Sequence, residues 1–481
     1  MNFAIVRYLI GWMLGIESVF LLCPALTAVI YGEKELPAYL IAAAVSLAGA
    51  ALLCHRKPKN TRFYAREGYV TVALCWLILA VIGALPFVLS GEIPFFVDAL
   101  FETVSGFTTT GATILSDVEA LSHASMLWRC LTHWVGGMGV LVFMLIVLPL
   151  AGGQTIFLMR AESPGPSVSK MSPHMRDTAT ILYAIYFGLT VLQMILLLIG
   201  GMPLFDAICV SLGTAGTGGF GNWNDSIAHY NSAYLQNVIT VFMILFGINF
   251  SAYFLILTRK FRQAFRIEEI RVYLGVIFVF AGLIAFNVRP MFGSLRESFH
   301  HALFQVASII TTTGFSTVDF DQWPTFSRAL LVLLMFIGAC AGSTGGGIKC
   351  SRILLLGKSV KKELMCLIHP RLVRVNKMDG QRVPHEVMRS INVFVVAYAF
   401  IFILSLLIIS LNCEDLVTCF TSVATTLNNV GPGLSLCGPT CNFGFFPPLS
   451  KGVLIFDMLA GRLELFPMLL LFTPGTWQRN K

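Results

Sequence analysis

Phe107-Thr108-Thr109-Thr110-Gly111-Ala112-Thr113 returns in altered form three times: as Thr214-Ala215-Gly216-Thr217-Gly218-Gly219-Phe220, as Ile310-Thr311-Thr312-Thr313-Gly314-Phe315, and as Leu427-Asn428-Asn429-Val430-Gly431-Pro432-Gly433. Superposed on Gly111, Gly218, Gly314 and Gly431, the copies stand too far apart for a solenoid repeat. Their spacing suits two membrane spans and a connecting loop. One polar, glycine-bearing loop per membrane hairpin, four times over, predicts a ring.

Composition agrees with a membrane setting. Hydrophobic residues make up 56% of the 481 and charged residues only 12%, more apolar surface than a soluble core of this size buries. Ten apolar stretches reach spanning length: Phe3 to Ala28, Pro37 to Leu53, Tyr69 to Leu89, Met126 to Leu148, Ile181 to Leu198, Tyr234 to Leu257, Tyr273 to Val288, Ala329 to Gly342, Ile391 to Leu411 and Gly452 to Phe472. The first is too long, and has no small-residue cleavage site, for a removed signal peptide.

A net charge of +8 raises the question of nucleic acid, but the basic residues are distributed by loop and form no single patch. Most fall in the N-terminus, His55 to Arg66, Pro149 to Arg176, Thr258 to Arg271, Lys349 to Arg389 and the C-terminus. The positive-inside rule makes these segments cytoplasmic, both termini included, and opens all four glycine loops to the outside. The partner implied is the lipid bilayer, not nucleic acid.

The expected fold class is therefore an all-α polytopic membrane protein. An extra two-helix hairpin (1–55) precedes four span, pore-loop, span repeats at 67–150, 178–258, 271–357 (its second span broken) and 389–475, with a cytoplasmic loop at 358–388. The re-entrant segments Asp98 to Thr108, Phe205 to Thr214, Phe299 to Ile310 and Asp415 to Leu427 are helical in character and too short to cross a core of about 30 Å at about 1.5 Å per residue. Asp98 and Asp206 are expected to cap the first two. With the helices running inward, their C-terminal dipole ends favour a cation at the centre.

Irregular backbone survives at membrane depth only where it is buried in protein or lines a wet cavity. Four such loops meet that condition jointly by facing one another. The residues before the superposed glycines are Thr109-Thr110, Gly216-Thr217, Thr312-Thr313 and Asn429-Val430. None is charged, and a ring of neutral carbonyls suits a weakly hydrated monovalent cation, whereas a divalent cation would recruit carboxylates and an anion would want basic or amide groups. A lone Thr-Gly pair reads as an ordinary loop; four on one side of the membrane do not.

Two further stretches break the hydrophobic pattern. Gly342-Ser343-Thr344-Gly345-Gly346-Gly347-Ile348-Lys349 would unwind the eighth span. It fails as a phosphate-binding loop, since Gly347-Ile348-Lys349-Cys350 replaces the required Gly-Lys-Ser/Thr and no strand precedes it. It reads instead as an intramembrane segment able to obstruct permeation. In the last span Arg462 costs about 2.5–3.5 kcal/mol on insertion scales. It either forms a buried ion pair with Glu464 or Asp457, or stands near the conduction path, where its charge limits cation flow. His133, in His133-Trp134-Val135-Gly136-Gly137-Met138-Gly139, reads as a packing residue beside glycines that admit close helix approach. Twelve cysteines lie mostly in spans; a Cys437 to Cys441 link is open, since spacing alone fixes no pairing.

With these stretches, and with Arg160-Ala161-Glu162-Ser163-Pro164-Gly165-Pro166 and Gly461-Arg462-Leu463-Glu464, the chain resembles the Trk/Ktr/HKT superfamily, and within it the TrkH/TrkG potassium-uptake subunits of bacteria. The resemblance covers nearly the whole chain. It implies a four-repeat K+ pore in the bacterial inner membrane, with K+ as the transported ion and no covalent cofactor. It also implies a gating loop at Gly342 to Lys349, a homodimer, and a cytosolic TrkA-type nucleotide-binding ring as partner. Family filters with four glycines favour K+, and serine at the first goes with Na+, so Gly111 points to K+. The second loop departs from the commoner apolar-Gly-Gly-Phe form.

Two alternatives stand beside gated uptake. H+- or Na+-coupled symport needs a titrating group along the path, and no filter residue titrates. An intramembrane enzyme would draw on His133, His300, His301 and Cys350, which show no recognisable nucleophile and base spacing.

Overall fold

The computed structural model of the chain describes residues 1–58, 64–147, 175–371 and 375–477, with backbone alone at 138, 140–147 and 175–179. The Arg160 to Pro166 motif lies outside the described residues. Helices Phe3–Tyr31 and Leu36–Cys54 form the leading hairpin. Small residues let its two helices close on each other: a side chain at Gly11 would strike Cys54, and Ser46 donates to the Leu14 carbonyl at 2.8 Å.

From Ala65 onward one order of elements recurs: a long helix, a short one, an irregular loop, and another helix. The long helices are Ala65–Ser90, Met175–Ile199, Glu268–Val288 and His385–Ile409. The short ones are Phe96–Phe107, Leu204–Gly216, Leu295–Ile310 and Leu416–Leu427, each within a turn or so of its expected segment. They are buried along most of their length by surrounding helices. Their C-terminal ends are thus enclosed by protein.

Two of the helices after the loops, the second and the fourth, are divided where one span was expected. Among the described residues six helices are long and apolar enough to cross a membrane, or seven if one bent pair is a single span. Tyr234 to Leu257, expected as one span, is Ala233–Phe246 and Phe250–Leu257 meeting at 92°. The bend has a local cause: Asn249 caps the second piece, accepting from the Ser251 N–H at 2.8 Å, while a side chain at Gly247 would strike the Tyr273 hydroxyl. The eighth ends at Ile337 and resumes as Cys350–Ile368, and the tenth divides into Pro448–Arg462 and Phe466–Leu471. Glycine and positive-φ backbone at Gly338, Gly342, Gly347 and Lys349, and at Glu464 and Leu465, make these breaks.

Past residue 357 the helix continues to Ile368, so the basic loop is partly ordered. Strands Lys377–Met378 and Gln381–Arg382 pair around Asp379 and Gly380, both at positive φ as a tight hairpin requires. Asp379 then accepts from the Glu268 N–H at 2.7 Å, tying this hairpin to the start of a long helix.

The expected caps differ in the first two pore helices. Asp98 and Asp206 sit inside the first turn and make no capping bond. Asp98 pairs with Lys451 at 2.6 Å, and Asp206 accepts from Asn222, Trp223 and Tyr230. Lateral partners won over the helix N–H groups. Ser294 and Asp415 do cap the third and fourth helices. Hydrogen bonds from Thr418 and Ser435 hold the Asp415 carboxyl down to about 2.

None of the twelve cysteines, Cys437 and Cys441 included, is in a disulfide.

Candidate functional site

Each pore helix ends in the same way. Its last turn is closed by a residue in the left-handed region, Thr109, Thr217, Thr312 or Asn429, with φ between 54° and 58°. The N–H of that residue reaches back to the helix, and the next N–H reaches further: Thr110 to Ser105 O, Gly218 to Gly213 O, Thr313 to Ser308 O, Val430 to Thr425 O, all at 2.8–2.9 Å. This is the Schellman closure, here built on residues with a Cβ. Such backbone costs about 1–2 kcal/mol per residue. Its recurrence in four loops shows that surrounding structure imposes it.

A positive-φ glycine follows two residues on: Gly111, Gly219, Gly314 and Gly431. This corrects the sequence superposition in the second loop. Gly219, not Gly218, is the counterpart of Gly111; Gly218 matches Thr110, and Gly216 is the last residue of the pore helix. The equivalent triplets are Thr109-Thr110-Gly111, Thr217-Gly218-Gly219, Thr312-Thr313-Gly314 and Asn429-Val430-Gly431. Consecutive glycines at 218 and 219 concealed the register, because only the backbone angle distinguishes them.

The four loops meet in a closed circuit. A side chain added at Gly111 would run into the Gly218 carbonyl oxygen, one at Gly219 into Thr313 O, one at Gly314 into Val430 O, and one at Gly431 into Thr110 O. Each loop backs onto the next, and the fourth onto the first. Four carbonyls and four glycine α-carbons therefore surround one axis, and any Cβ would fill the space between them. The hydroxyls and amide at the inner ends add to it: the Asn429 amide donates to Thr110 Oγ1 and to Met458 O, each at 2.9 Å.

Behind the second loop stands His133. Its Nδ1 is 2.7 Å from Gly106 O and its Nε2 accepts from the Phe220 N–H at 3.1 Å, so the neutral ring with its proton on Nδ1 bridges the end of the first pore helix and the second loop. Beside it Gly136 and Gly137 admit the Phe107 carbonyl and Gly216. His133 thus does more than fill space.

Residues 338–349 lie directly under this ring. Gly345 approaches the Thr311 carbonyl and Gly346 the Asn428 carbonyl so closely that a Cβ would be 3.0 and 2.6 Å away. The Gly346 N–H donates to Thr312 Oγ1 at 2.7 Å. Arg462 donates to Thr344 O and Gly136 O, both at 2.7 Å, joining the segment to the second span of the first repeat. Glu464 pairs with Arg352, and Asp457 accepts from Ser405 at 2.7 Å. The Lys349 ammonium donates to Gly345 O, which puts a second cation beneath the ring.

Glu269 escaped sequence reasoning. Its carboxylate Oε1 accepts from the Ala341 N–H at 2.7 Å and the Ser351 N–H at 3.0 Å, so one side chain holds both ends of the segment. The available signal was an acidic residue carried into the start of a span. The groups of the enzyme alternative are dispersed: His300 faces Gln236, His301 faces Thr317, and Cys350 contacts Glu269 O, while His133 is committed as above.

Pore helices converging on a ring of neutral carbonyls, with cationic side chains below it, define an integral membrane protein with a cation pathway. Residues 37–478 match the TrkH family, described as cation transport proteins, and the chain belongs to that family. It is 38% identical to the Trk system potassium uptake protein TrkH of Escherichia coli K12 over 99% of this chain and 100% of the relative. It is 33% identical to TrkG of the same strain, with 98% of each covered. The crystal structure of the potassium transporter TrkH from Vibrio parahaemolyticus superposes with a TM-score of 0.89 at 33% identity, covering 99% of this chain and 100% of that one. Family membership makes the chain a transporter and not an enzyme.

Proposed function

We propose that the chain conducts K+ into the cell through the four-loop ring, across a bacterial inner membrane with both termini in the cytoplasm. The observation that carries this reading is the closed circuit of carbonyls and glycines at Gly111, Gly219, Gly314 and Gly431. Its oxygens replace the hydration shell of an alkali cation, and no carboxylate binds the ion too tightly to leave. The filter consists of the four triplets aligned above. K+ is the cargo named for the relatives with which the chain aligns along almost its whole length.

Residues 342–349 act as the gate. They lie against the inner ends of the third and fourth loops, where movement of a few ångströms would open or obstruct the path. Arg462 and Lys349 place positive charge there, which slows cations. Gate opening is assigned to a cytosolic nucleotide-binding ring of the TrkA type, acting on a homodimer through the basic surface that follows Lys349.

The test is K+-dependent growth of a transport-deficient host, with and without that ring, followed by flux in vesicles of the purified chain. Uptake that persists as current with the pH gradient abolished supports a channel-like path. Flux that stops under those conditions supports coupled symport instead.

A further inference from the structure

Glu102 and Arg129 form an ion pair at 2.7 Å with side chains 0% and 2% exposed. Neither belongs to the filter or to the gate. Glu102 is on the first pore helix, and its carboxylate also accepts from Thr113 Oγ1 and the Ile114 N–H, each at 3.0 Å. Arg129 is on the helix that follows the loop, where its guanidinium lies 3.9 Å over the Phe220 ring and points Nη1 at Gly221 O, 3.5 Å away. Nη2 is 3.4 Å from Thr113 Oγ1. Thr113 follows Gly111 along the extended first loop, residues 109–113, and Gly221 follows Gly219 along the second, residues 217–221, the first two filter strands. The pair therefore grips the outer ends of two neighbouring strands from behind.

We propose that Glu102 and Arg129 are positioning residues that fix the spacing between the first two filter strands and thereby set K+ over Na+ discrimination. This rests on the reading of the four loops as a filter. The physical case is that carbonyls select an alkali cation only if their number and separation are held, whether cavity size or field strength decides. Buried ion pairs contribute little net stability but can specify one arrangement. Here the arrangement specified is the strand separation. Glu102 also cancels a guanidinium charge that would otherwise stand beside a cation path.

The device is peculiar to one quarter of the ring. At the equivalent places on the other pore helices, counted back from Thr217, Thr312 and Asn429, stand Val210, Gln305 and Ser422. The Gln305 amide is buried with neither polar atom hydrogen-bonded. The segment that follows the fourth loop also holds the first, with the Phe443 N–H donating to Thr113 O at 2.8 Å. Thr113 thus gathers links from three elements, and the ion pair anchors it.

The experiment measures K+ over Na+ permeability from reversal potentials in vesicles of the full-length chain, beside its thermal midpoint. Removing both charges in E102Q/R129M leaves no uncompensated buried ion, so the chain is expected to fold. Its discrimination is expected to fall roughly fivefold or more, the factor carried by one net hydrogen bond. R129K keeps the charge but loses the planar fork, and a smaller fall is expected. A folded double variant with the wild-type ratio overturns the proposal. If the double variant does not fold, a wild-type ratio in R129K overturns it equally. Gly111→Ser is the control: if it too leaves the ratio unchanged, the filter reading fails, which is a separate result.

Discussion

The backbone N–H of Gly346 donates to the hydroxyl of Thr312 at 2.7 Å, so the segment proposed as the gate is hydrogen-bonded to a residue of the proposed filter. Opening must break this bond. Thr312→Val removes the acceptor with little change of shape and should favour the open state by about 1 kcal/mol, roughly fivefold in population. Basal K+ flux without the cytosolic ring should rise accordingly, and Thr312→Ser should behave as wild type. Equal flux in all three would show that the bond has no part in gating.

Deleting Gly345 to Gly347 removes the backbone that lies against Thr311 O and Asn428 O. Leak should exceed that of Thr312→Val, since the obstruction goes along with the latch. Unchanged basal flux in vesicles would remove the gate assignment.

The corrected register makes a distinction between adjacent glycines. A side chain at Gly219 meets a backbone oxygen, Thr313 O, whereas one at Gly218 meets the His133 imidazole. Gly219→Ser should raise Na+ relative to K+ permeation as Gly111→Ser does, and His133→Ala should not restore it. Gly218→Ala should lower the thermal midpoint by several degrees, with His133→Ala in the same chain recovering part of the loss by making room. Rescue in the opposite pattern would return the filter register to Gly218.

Arg462 donates to carbonyls on two sides of the gate, Thr344 O and Gly136 O. Arg462→Ala removes a charge and two bonds, and should raise basal K+ flux tenfold or more, since hydrogen bonds to charged groups are worth about 1.5–3 kcal/mol each. Arg462→Lys should fall between, keeping the charge but not the planar fork. Loss of folded protein without altered current in what remains would make the residue structural.

Much of the site could be read along the chain because its parts are local. Each pore helix and its loop occupies one short segment, so apolar periodicity, length and a glycine mark it without reference to anything distant. The break between Ile337 and Cys350 was legible for the same reason: a run of glycine, serine and threonine stops a helix wherever it occurs. Asp98 and Asp206 were misread because a carboxylate in a first turn can bond the helix end or a lateral neighbour. Lys451 and Tyr230, far off in sequence, decided that choice. Gly247 gave little warning of a bend either, since one glycine in a span is ordinary until Tyr273 and Thr311 crowd it.

Composition and the fourfold theme by themselves determined that this chain is an all-α membrane protein and where its four short helices end in glycine-bearing loops, because hydrophobic length and helix-breaking residues act locally. Tertiary structure alone decided which glycine takes positive φ in the second loop, that Glu269 reaches both Ala341 and Ser351, and that Glu102 pairs with Arg129. Those facts depend on which carbonyl or ion faces a residue across the molecule, and a linear chain does not record facing.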